Sequence, residues 1–307
     1  MKQYTLMLID KKSLEWEIQE LPALGVNEVL IKTVISAVSV GAELSQYDES
    51  DVTDINPDYP RNTGYENYGE VVRVGGNVRS VHTGDKVVAF YGHKDFSIEK
   101  ENNVIPVSED IPSTQALLTI LSCDSAKGVL KLDPNPKDKV LVTGMGTIGL
   151  LAVYFLKHYI GVDHIDVIEP DCRRRHIAKE FGAKNAFDLQ DKLEGKYEHG
   201  LECSGMHGAF GILQSSIRQY GKICILSDGN KEELKLGPEF YEKELCIVGS
   251  SDGWDYKRHS QWFFKYVKKT PYIDQIFEYE TTKENLMQCF KELSNGTINP
   301  LKVLVRY

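Results

Sequence analysis

Two neighbouring side chains, a phenol and a carboxylate, stand where the chain is expected to turn into a strand. They are Tyr65 and Glu66 of the stretch "GYENYGEVV", which begins at Gly64 and ends in β-branched residues. A phenol and a carboxylate can each donate or accept a proton, so this pair can support general acid–base chemistry. The local sequence leaves a second interpretation open, in which the segment is a turn with two solvated side chains.

Three glycines at G-x-G-x-x-G spacing could hold a dinucleotide. Gly144, Gly146 and Gly149 follow the apolar run "KVLV" and open the helix-like run "GLLAVYFLK". In the dinucleotide fingerprint, the first glycine allows a tight turn, the second lets the backbone approach a pyrophosphate, and the third lets the helix pack on the strand. Thr147 and Ile148 stand at the start of that helix, where backbone N–H groups attract phosphate.

An acidic residue, Glu169, ends the next strand-like run, 20 residues after Gly149. A carboxylate there hydrogen-bonds the ribose hydroxyls of an adenosine and repels a 2′-phosphate, so we expect NAD rather than NADP. The three arginines at 173–175 oppose this expectation, because an arginine just past that strand can bind a 2′-phosphate. Their alternative role is to cover a helix surface.

The candidate residues lie in two parts of the chain that differ in their predicted secondary structure. Up to about residue 110, short strand-like runs are separated by turns rich in Gly, Pro and Asn, as in a small barrel or sandwich. After about residue 130, strands alternate with helices, which predicts a parallel sheet with helices on both faces. The predicted fold class is therefore α/β, with a β-rich domain and a doubly wound Rossmann domain.

The composition limits the partners. The 307 residues suffice for two domains, and a net charge of −9 argues against nucleic acid or an anionic membrane surface as the main partner. The N-terminus does not have the pattern of a signal peptide, and no run approaches the roughly 20 apolar residues of a membrane span. We therefore expect a cytoplasmic protein. Six cysteines without a C-x-x-C pair predict neither a disulfide framework nor a cysteine zinc site.

The chain as a whole resembles the medium-chain dehydrogenase/reductase superfamily of the zinc alcohol dehydrogenase type. The family motif "GHE-x-x-G-x-V" is matched by Gly64, Tyr65, Glu66, Gly69 and Val71, and its "V-x-x-G-D-x-V" turn by Val81, Gly84, Asp85 and Val87. The resemblance implies a GroES-like catalytic domain formed by residues 1–118 and 251–307, with a Rossmann domain at residues 119–250 between them. It also places the active site where the two domains meet.

The resemblance further implies a homodimer. Family members commonly dimerise by joining the sheet edges of their nucleotide domains, and the apolar run "KELCIVGS", residues 243–250, could serve as that edge. A monomeric mass in solution would contradict this expectation.

The metal-ligand positions of the family are where this sequence departs from it. Val40 stands at the first cysteine ligand, Tyr65 at the histidine ligand, and Ala42 at the hydroxyl that relays the substrate proton. Cys123 remains at the third ligand position, but one thiolate cannot hold a catalytic zinc ion. The family's structural zinc lobe would fall near residues 92–110, which contain no cysteine. We therefore expect a zinc-free member, similar in its "GYE" form to the bacteriochlorophyllide dehydrogenase branch.

Hydride transfer without a metal still requires a group that exchanges a proton with the substrate oxygen. Tyr65 and His93 are the acid–base candidates, with Glu66 beside them. The open alternatives are that Tyr65 only fills the vacated metal cavity and that His93 is a turn residue. Polar residues expected near the substrate are Glu43, Tyr47 and Asp124.

The resemblance adds further cofactor contacts. The run "LECSG" matches a strand end near the nicotinamide, which implicates Cys203 and Ser204. Arg174 matches a basic residue at the adenosine ribose, and Lys302 stands where a basic residue often meets the pyrophosphate.

The expected function is zinc-independent, NAD-dependent oxidation of a secondary alcohol to a ketone, or the reverse. The polar candidates favour a polyol, cyclitol, sugar or amino alcohol as the substrate. The alternative is a zinc-free quinone or enoyl reductase that uses NADPH, against which Glu169 argues. A third hypothesis, a nucleotide-binding protein without catalysis, has no residue that supports it positively.

Overall fold

Two compact units make up the computed structural model, which describes residues 1–191, 193 and 197–307. The first unit contains Met1–Ser50, Asp54–Thr119 and Ile276–Tyr307, and the second contains Asp51–Thr53 and Ile120–Gln275. The chain therefore leaves the first unit and later returns to it. The last segment of the first unit begins at residue 276, whereas the resemblance implies a return at residue 251.

The first unit is built mainly from strands. Its N-terminal part contains β1 (Lys2–Asp10), β2 (Ser13–Glu20), β3 (Glu28–Val38), α1 (Val40–Asp48), β4 (Arg61–Asn62), β5 (Glu66–Val74), β6 (Lys86–Ala89), β7 (Phe96–Lys100), β8 (Val104–Val107) and α2 (Ser113–Leu117). The longest of them, β3, is rich in Val, Ile and Thr, which favour a pleated and half-buried backbone. Val29 and Ile31 of this strand pack with Val71 of β5 in one apolar core.

The second unit alternates strands with helices. It contains α3 (Thr119–Leu132, whose first residue ends the first unit), β9 (Lys139–Thr143), α4 (Thr147–Phe155), β10 (His164–Ile168), α5 (Cys172–Phe181), β11 (Asn185–Phe187), β12 (Tyr197–Glu202), α6 (His207–Ser216), β13 (Ile217–Ile225), α7 (Pro238–Glu242), β14 (Cys246–Gly249) and α8 (Tyr256–Val267). The strands pair in parallel in the order β11-β10-β9-β12-β13-β14, so β14 lies at an edge. This arrangement confirms the predicted α/β fold class.

The returning segment completes the sheet of the first unit. It adds β15 (Phe277–Thr282), α9 (Leu286–Ser294) and β16 (Lys302–Arg306), and the sheet order becomes β15-β16-β3-β5-β6-β8, with β7 also paired to β3. Both β16 and β5 are antiparallel to β3 and flank it. Helix α9 buries Leu286, Phe290 and Leu293 in a core with Leu6 and Leu8 of β1. The last strand is therefore an integral part of this sheet.

Helix α8 explains why residues 251–275 belong to the second unit. His259, Phe263 and Val267 recur every four residues and are buried, so they form one face of the helix. That face meets Tyr154 and Phe155 of α4 through ring contacts whose centroids are 6.0–6.2 Å apart. The sequence pattern predicts the helix correctly, but the partner of its apolar face is not a local property.

None of the helices in residues 1–191, 193 and 197–307 is long and apolar enough to cross a membrane.

Acid should destabilise the second unit through His259. This imidazole is 7% exposed, its Nε2 lies 2.9 Å from Ser122 Oγ, and burial lowers its pKa from 6.5 to about 4. Below pH 6.5 the unfolded chain binds a proton at His259 that the folded chain does not bind. The contribution of His259 to stability is therefore fully present above pH 6.5 and is lost as the pH falls toward 4. Between pH 7.5 and pH 5, this group should lower the free energy of unfolding by about 2 kcal/mol.

Urea unfolding at the two pH values, followed by circular dichroism, measures this effect. His259→Gln should remove about that part of the pH dependence. His176→Gln is the matched control, because the His176 side chain is 77% exposed. If His259→Gln and the parent protein lose the same stability in acid, the assignment is wrong.

Candidate active site

The carboxylate of the "GYE" motif forms a buried ion pair. Glu66, the first residue of β5, and Lys302, the first residue of β16, are both 0% exposed, and Glu66 Oε1 lies 2.6 Å from Lys302 Nζ. Burial raises the pKa of Glu66, and the Lys302 ammonium opposes that rise. This pairing differs from the resemblance, which implies a pyrophosphate contact for Lys302. In the structure the ammonium instead compensates a carboxylate that has no access to solvent.

His93 belongs to a second buried array in the same unit. Its Nε2 lies 3.0 Å from Glu43 Oε2, and its Nδ1 lies 3.0 Å from Ser36 Oγ. The other carboxylate oxygen of Glu43 accepts the N–H of Ser39 at 2.8 Å. If Nε2–H donates to the carboxylate, Nδ1 accepts the hydroxyl proton of Ser36. His93 is thus fully buried with both nitrogens engaged, and it is not a surface turn residue.

The segment that carries Tyr65 is attached to this histidine. The C=O of Thr63 accepts the backbone N–H of His93 at 2.7 Å. Gly64 has φ +77°, and a Cβ there would come within 2.7 Å of His93 Cδ2, so only glycine fits. Tyr65 therefore stands between two fixed neighbours, Gly64 against His93 and Glu66 against Lys302. Its own side chain is half-buried, whereas Glu66 is fully buried.

Two of the predicted substrate-binding side chains are engaged within the first unit. Glu43 is 4% exposed and holds His93. Tyr47 is 3% exposed, donates to the C=O of Lys12 at 3.1 Å, and packs against Phe290 in an apolar core. Tyr47 is thus packed and hydrogen-bonded within the first unit, and its substrate contact stays a prediction.

Six of the predicted site residues lie in the first unit, namely Glu43, Tyr47, Tyr65, Glu66, His93 and Lys302. Asp124 lies in the second unit, where its Oδ1 accepts a hydrogen bond from Tyr256 at 2.8 Å. No local pattern in the sequence singles out Ser36 or pairs Glu66 with Lys302.

The positions that correspond to zinc ligands do not form a zinc-binding set. Val40 offers no donor atom and packs against the apolar core of the first unit. Cys123 lies in the second unit and is fully buried, and burial raises its pKa to about 11. No group of three His, Cys, Asp or Glu side chains in residues 1–191, 193 and 197–307 could hold a metal ion. Zinc in proteins is bound by thiolate, imidazole or carboxylate groups, and among Val40, Tyr65 and Cys123 only Cys123 offers one, so these three side chains do not fit a zinc ion.

The three glycines of the dinucleotide motif have distinct surroundings. Gly144 has φ +82°, and a Cβ there would lie 2.7 Å from the Cα of Ser204. A Cβ on Gly149 would lie 1.9 Å from the oxygen of Gly144, so this glycine permits close packing of helix and loop. Gly146 precedes α4, and a Cβ there would meet no atom of the described residues within 4 Å. This geometry fits a turn, a packing contact and a pyrophosphate approach for Gly144, Gly149 and Gly146, respectively.

Glu169 is fixed by the backbone around it. It is 5% exposed, its Oε2 accepts the N–H of Met145 at 2.7 Å, and its Oε1 accepts the N–H of Asp171 at 3.0 Å. The carboxylate therefore ties the end of β10 to the glycine-rich loop. A carboxylate has about four acceptor sites, so both oxygens retain capacity for ribose hydroxyls.

Two of the arginines after Glu169, Arg174 and Arg175, make different contacts. Arg175 Nη1 donates to the C=O groups of Glu169 and Pro170, at 2.6 and 2.8 Å, and to Asp188 at 2.9 Å. It therefore braces the loop. Arg174 lies on the first turn of α5, and its Nε is 4.0 Å from Asp171.

A further carboxylate organises the loop after β12. Glu202 is 0% exposed and accepts the N–H of Ser204 at 2.8 Å and that of Gly205 at 3.2 Å. Burial, with Glu202 nearby, raises the pKa of the Cys203 thiol well above its usual value. Glu202 is not among the predicted site residues, although an acid followed by a glycine turn in "ECSG" is a signal that could identify it.

Comparison with known proteins supports the superfamily that the sequence resembles. The alcohol dehydrogenase GroES-like domain matches residues 25–109. An L-threonine 3-dehydrogenase of Legionella pneumophila (strain Corby) is 25% identical over 247 residues, which cover 67% of this chain and 71% of that protein. These matches support a place in the medium-chain dehydrogenase/reductase superfamily.

Solved structures share the fold along the whole chain. L-idonate 5-dehydrogenase from Escherichia coli superimposes with a TM-score of 0.85 at 17% identity, covering 100% of this chain and 99% of that one. 2R,3R-butanediol dehydrogenase from Bacillus subtilis gives 0.83 at 20% identity and covers 99% of both chains. At such identities the likeness establishes the fold alone.

Removing one partner of the Glu66–Lys302 pair should strongly destabilise the first unit. Lys302→Met leaves a carboxylate buried without its counter-charge, and such a change costs about 3–5 kcal/mol. The double variant Glu66→Gln with Lys302→Met should recover most of that loss, because neither charge remains. Urea unfolding of the parent, Lys302→Met and the double variant measures both effects.

Glu280→Gln is the control, because Glu280 pairs with Arg306 on neighbouring strands with both side chains more than half exposed. Its loss should stay below about 1 kcal/mol. A double variant as unstable as Lys302→Met alone would show that the charges are not coupled.

Proposed function

We propose that this chain is an NAD-dependent dehydrogenase that interconverts a secondary alcohol and a ketone without zinc. The observation that carries the proposal is the setting of Tyr65, a half-buried phenol held between the anchors Gly64 and Glu66. Alcohol oxidation is supported by the relatives, which are named as threonine, butanediol and idonate dehydrogenases. The proposed substrates are polyols, cyclitols, sugars or amino alcohols.

Tyr65 is the proposed proton-transfer group. In the oxidation Tyr65 acts as the phenolate and takes the proton of the alcohol, which makes it a phenol. In the reduction the phenol O–H donates its proton to the carbonyl oxygen and becomes the phenolate. The ordinary tyrosine pKa is near 10, so an uncompensated negative charge on the next residue would make the phenol harder to ionise. The Lys302 ammonium, 2.6 Å from Glu66, offsets that charge.

His93 acts through position in this proposal. With Nε2 on Glu43 and Nδ1 on Ser36, neither ring nitrogen is available to a substrate atom in the observed arrangement. The ring packs on Gly64, the residue before Tyr65, so its two hydrogen bonds limit where the phenol can stand. His93 is therefore a positioning residue, whereas the sequence suggests that it exchanges a proton directly.

The second unit would hold NAD, which accepts or supplies the hydride. The open space at Gly146 and the backbone N–H groups at the start of α4 suit a pyrophosphate. The carboxylate of Glu169 suits the ribose hydroxyls, and its fixed negative charge disfavours a 2′-phosphate. Arg174, which lies one turn further on, is the side chain that could offset this preference.

Alcohol oxidation should proceed with NAD after metal removal. We expect NADH to form from at least one member of a panel of polyols, cyclitols, amino alcohols and simple secondary alcohols, on protein dialysed against EDTA. The rate should equal that of untreated protein, and NADP should support less than about a tenth of it, because Glu169 repels the extra phosphate. Absorbance at the NADH band measures all three rates.

Loss of activity after EDTA, with recovery on adding Zn²⁺, would refute the metal-free part of the proposal. Oxidation of NADPH by quinones or enones, without any alcohol turnover, would instead favour the reductase alternative.

Tyr65→Phe should lower kcat by at least about 100-fold, because a positioned proton-transfer group contributes roughly 10²–10⁴-fold. The phenyl ring keeps the packing, so thermal stability and the KM for NAD should stay close to those of the parent. Tyr47→Phe is the matched control. It also removes one tyrosine hydroxyl, but that hydroxyl binds the backbone of Lys12, so kcat should change less than about twofold. Equal activity of Tyr65→Phe and the parent would reduce Tyr65 to a space-filling residue.

A further inference from the structure

The loop after β14 begins at the carboxyl edge of the parallel sheet. Residues 250–255 connect β14 to α8, whose N-cap is Asp255. In the strand order β10-β9-β12-β13-β14, Glu169 follows β10 and the glycine loop follows β9. With the adenosine ribose and the pyrophosphate at those two strand ends, as proposed above, the reacting end of the cofactor extends toward β12, β13 and β14. The loop therefore emerges on the side of the sheet where the substrate must be.

One face of α3 holds this loop in place. Tyr256 Oη donates to Asp124 at 2.8 Å and accepts the N–H of Gly253 at 2.6 Å. Lys127 Nζ donates to the C=O of Ser251 at 2.8 Å, and one helical turn further on Lys131 Nζ donates to the C=O that ends β14, at 2.5 Å. Three side chains spaced by three and four residues thus bind successive parts of one loop.

Close packing adds to these hydrogen bonds. A Cβ on Gly253 would lie 2.6 Å from the sulfur of Cys123 and 2.8 Å from the ring of Tyr256, so the loop reaches the helix only because this residue is glycine. Cys123 is 0% exposed, and the backbone N–H groups of Trp254 and Asp255 face its sulfur. The cysteine that survives from the family's ligand set therefore has a different task here, which is to seat the loop.

The residue that this fixed backbone presents is an exposed tryptophan. Trp254 is 57% exposed, although the residues on both sides of it are held. At the same strand ends, the hydroxyls of Ser227 and Ser250 are buried and have no hydrogen-bond partner within the described part of the chain. Buried polar groups are normally paired, so these hydroxyls point to a ligand or water at this edge. A rigidly presented aromatic beside them has the character of a binding residue.

We infer that Trp254 contacts the carbon skeleton of the alcohol, and that Cys123, Asp124 and Tyr256 are positioning residues that hold Trp254 in place. This inference rests on the proposed function. An indole ring offers a large flat apolar face, and the C–H face of a cyclic polyol, cyclitol or sugar ring is its natural complement. The structure thus favours ring-shaped secondary alcohols over short linear ones within the proposed substrate class.

Steady-state kinetics of Trp254→Ala test the contact with the alcohol that the panel identifies. We expect kcat/KM for that alcohol to fall roughly tenfold or more, mainly through its KM, as for an aromatic that carries binding energy. The KM for NAD should stay within about twofold of the parent value, because the indole would touch only the alcohol. Trp254→Phe should retain most of the activity. Tyr241→Ala is the matched control, because Tyr241 is 73% exposed on α7, which leads into the opposite, amino end of β14.

Tyr256→Phe tests the positioning role. It removes the acceptor of the Gly253 N–H and the donor to Asp124 while keeping the ring, so the KM for the alcohol should rise and the KM for NAD should not. Thermal unfolding of each variant identifies any general loss of fold. In the parent, binding of a competing alcohol to the NADH complex should change the tryptophan emission, and Trp254→Phe should lose that change.

The outcomes separate this inference from the proposed function. Absence of NADH binding, or of turnover with every alcohol, overturns the proposed function and this inference with it. If the parent turns over an alcohol and Trp254→Ala keeps the parent's kcat/KM for that alcohol within about twofold, only the inference about Trp254 is overturned. A rise in the KM for NAD alone would assign Trp254 to the cofactor and likewise contradict it.

Discussion

A lysine ammonium and a glutamate carboxylate, both sealed from solvent, constrain the first unit. Glu66 and Lys302 are 236 residues apart in the chain and their charged atoms are 2.6 Å apart in space. Either charge alone would cost several kcal/mol to bury, so β5 and β16 can take their places beside β3 only together. The carboxylate of the "GYE" motif is therefore satisfied only when the returning segment, which carries Lys302, is in place.

The same pair determines what surrounds Tyr65. Glu66 anchors the strand on one side of the tyrosine, and Gly64 packs on His93 on the other side. His93 in turn depends on Glu43 and Ser36 for its two hydrogen bonds. Four ionisable side chains therefore lie buried inside one unit, and buried ion pairs in proteins often add no more stability than hydrophobic residues of similar volume. Such an arrangement is more readily understood as a means of fixing position than as a source of stability.

In the second unit, too, buried side chains fix the position of loops. Gly253 packs closely against both the ring of Tyr256 and the sulfur of Cys123, and Cys123 is fully buried. Glu169 and Glu202 are buried carboxylates, and each accepts backbone N–H groups from the loop that it closes. Each of these two carboxylates holds the backbone of one loop. The hydrogen bonds to the backbone use part of the capacity of the carboxylate to accept hydrogen bonds from a ligand.

The sequence by itself determined those features that depend on neighbours a few residues apart. The alternation of strands and helices, the spacing of Gly144, Gly146 and Gly149, and the acid after the next strand are local patterns, and they were sufficient for the fold class and the dinucleotide motif. Only the tertiary structure decided which polar side chains meet. Ser36 and His93 are 57 residues apart, and Glu43 and His93 are 50 apart.

Tyr47 and Glu43 look alike as candidates in the sequence, yet one packs in a core and the other holds an imidazole. The apolar face of α8 likewise shows that the helix must be buried, but not that it packs on α4. The physical reason is that residue type fixes what a side chain can bond, whereas strand order and register fix which partner comes within reach.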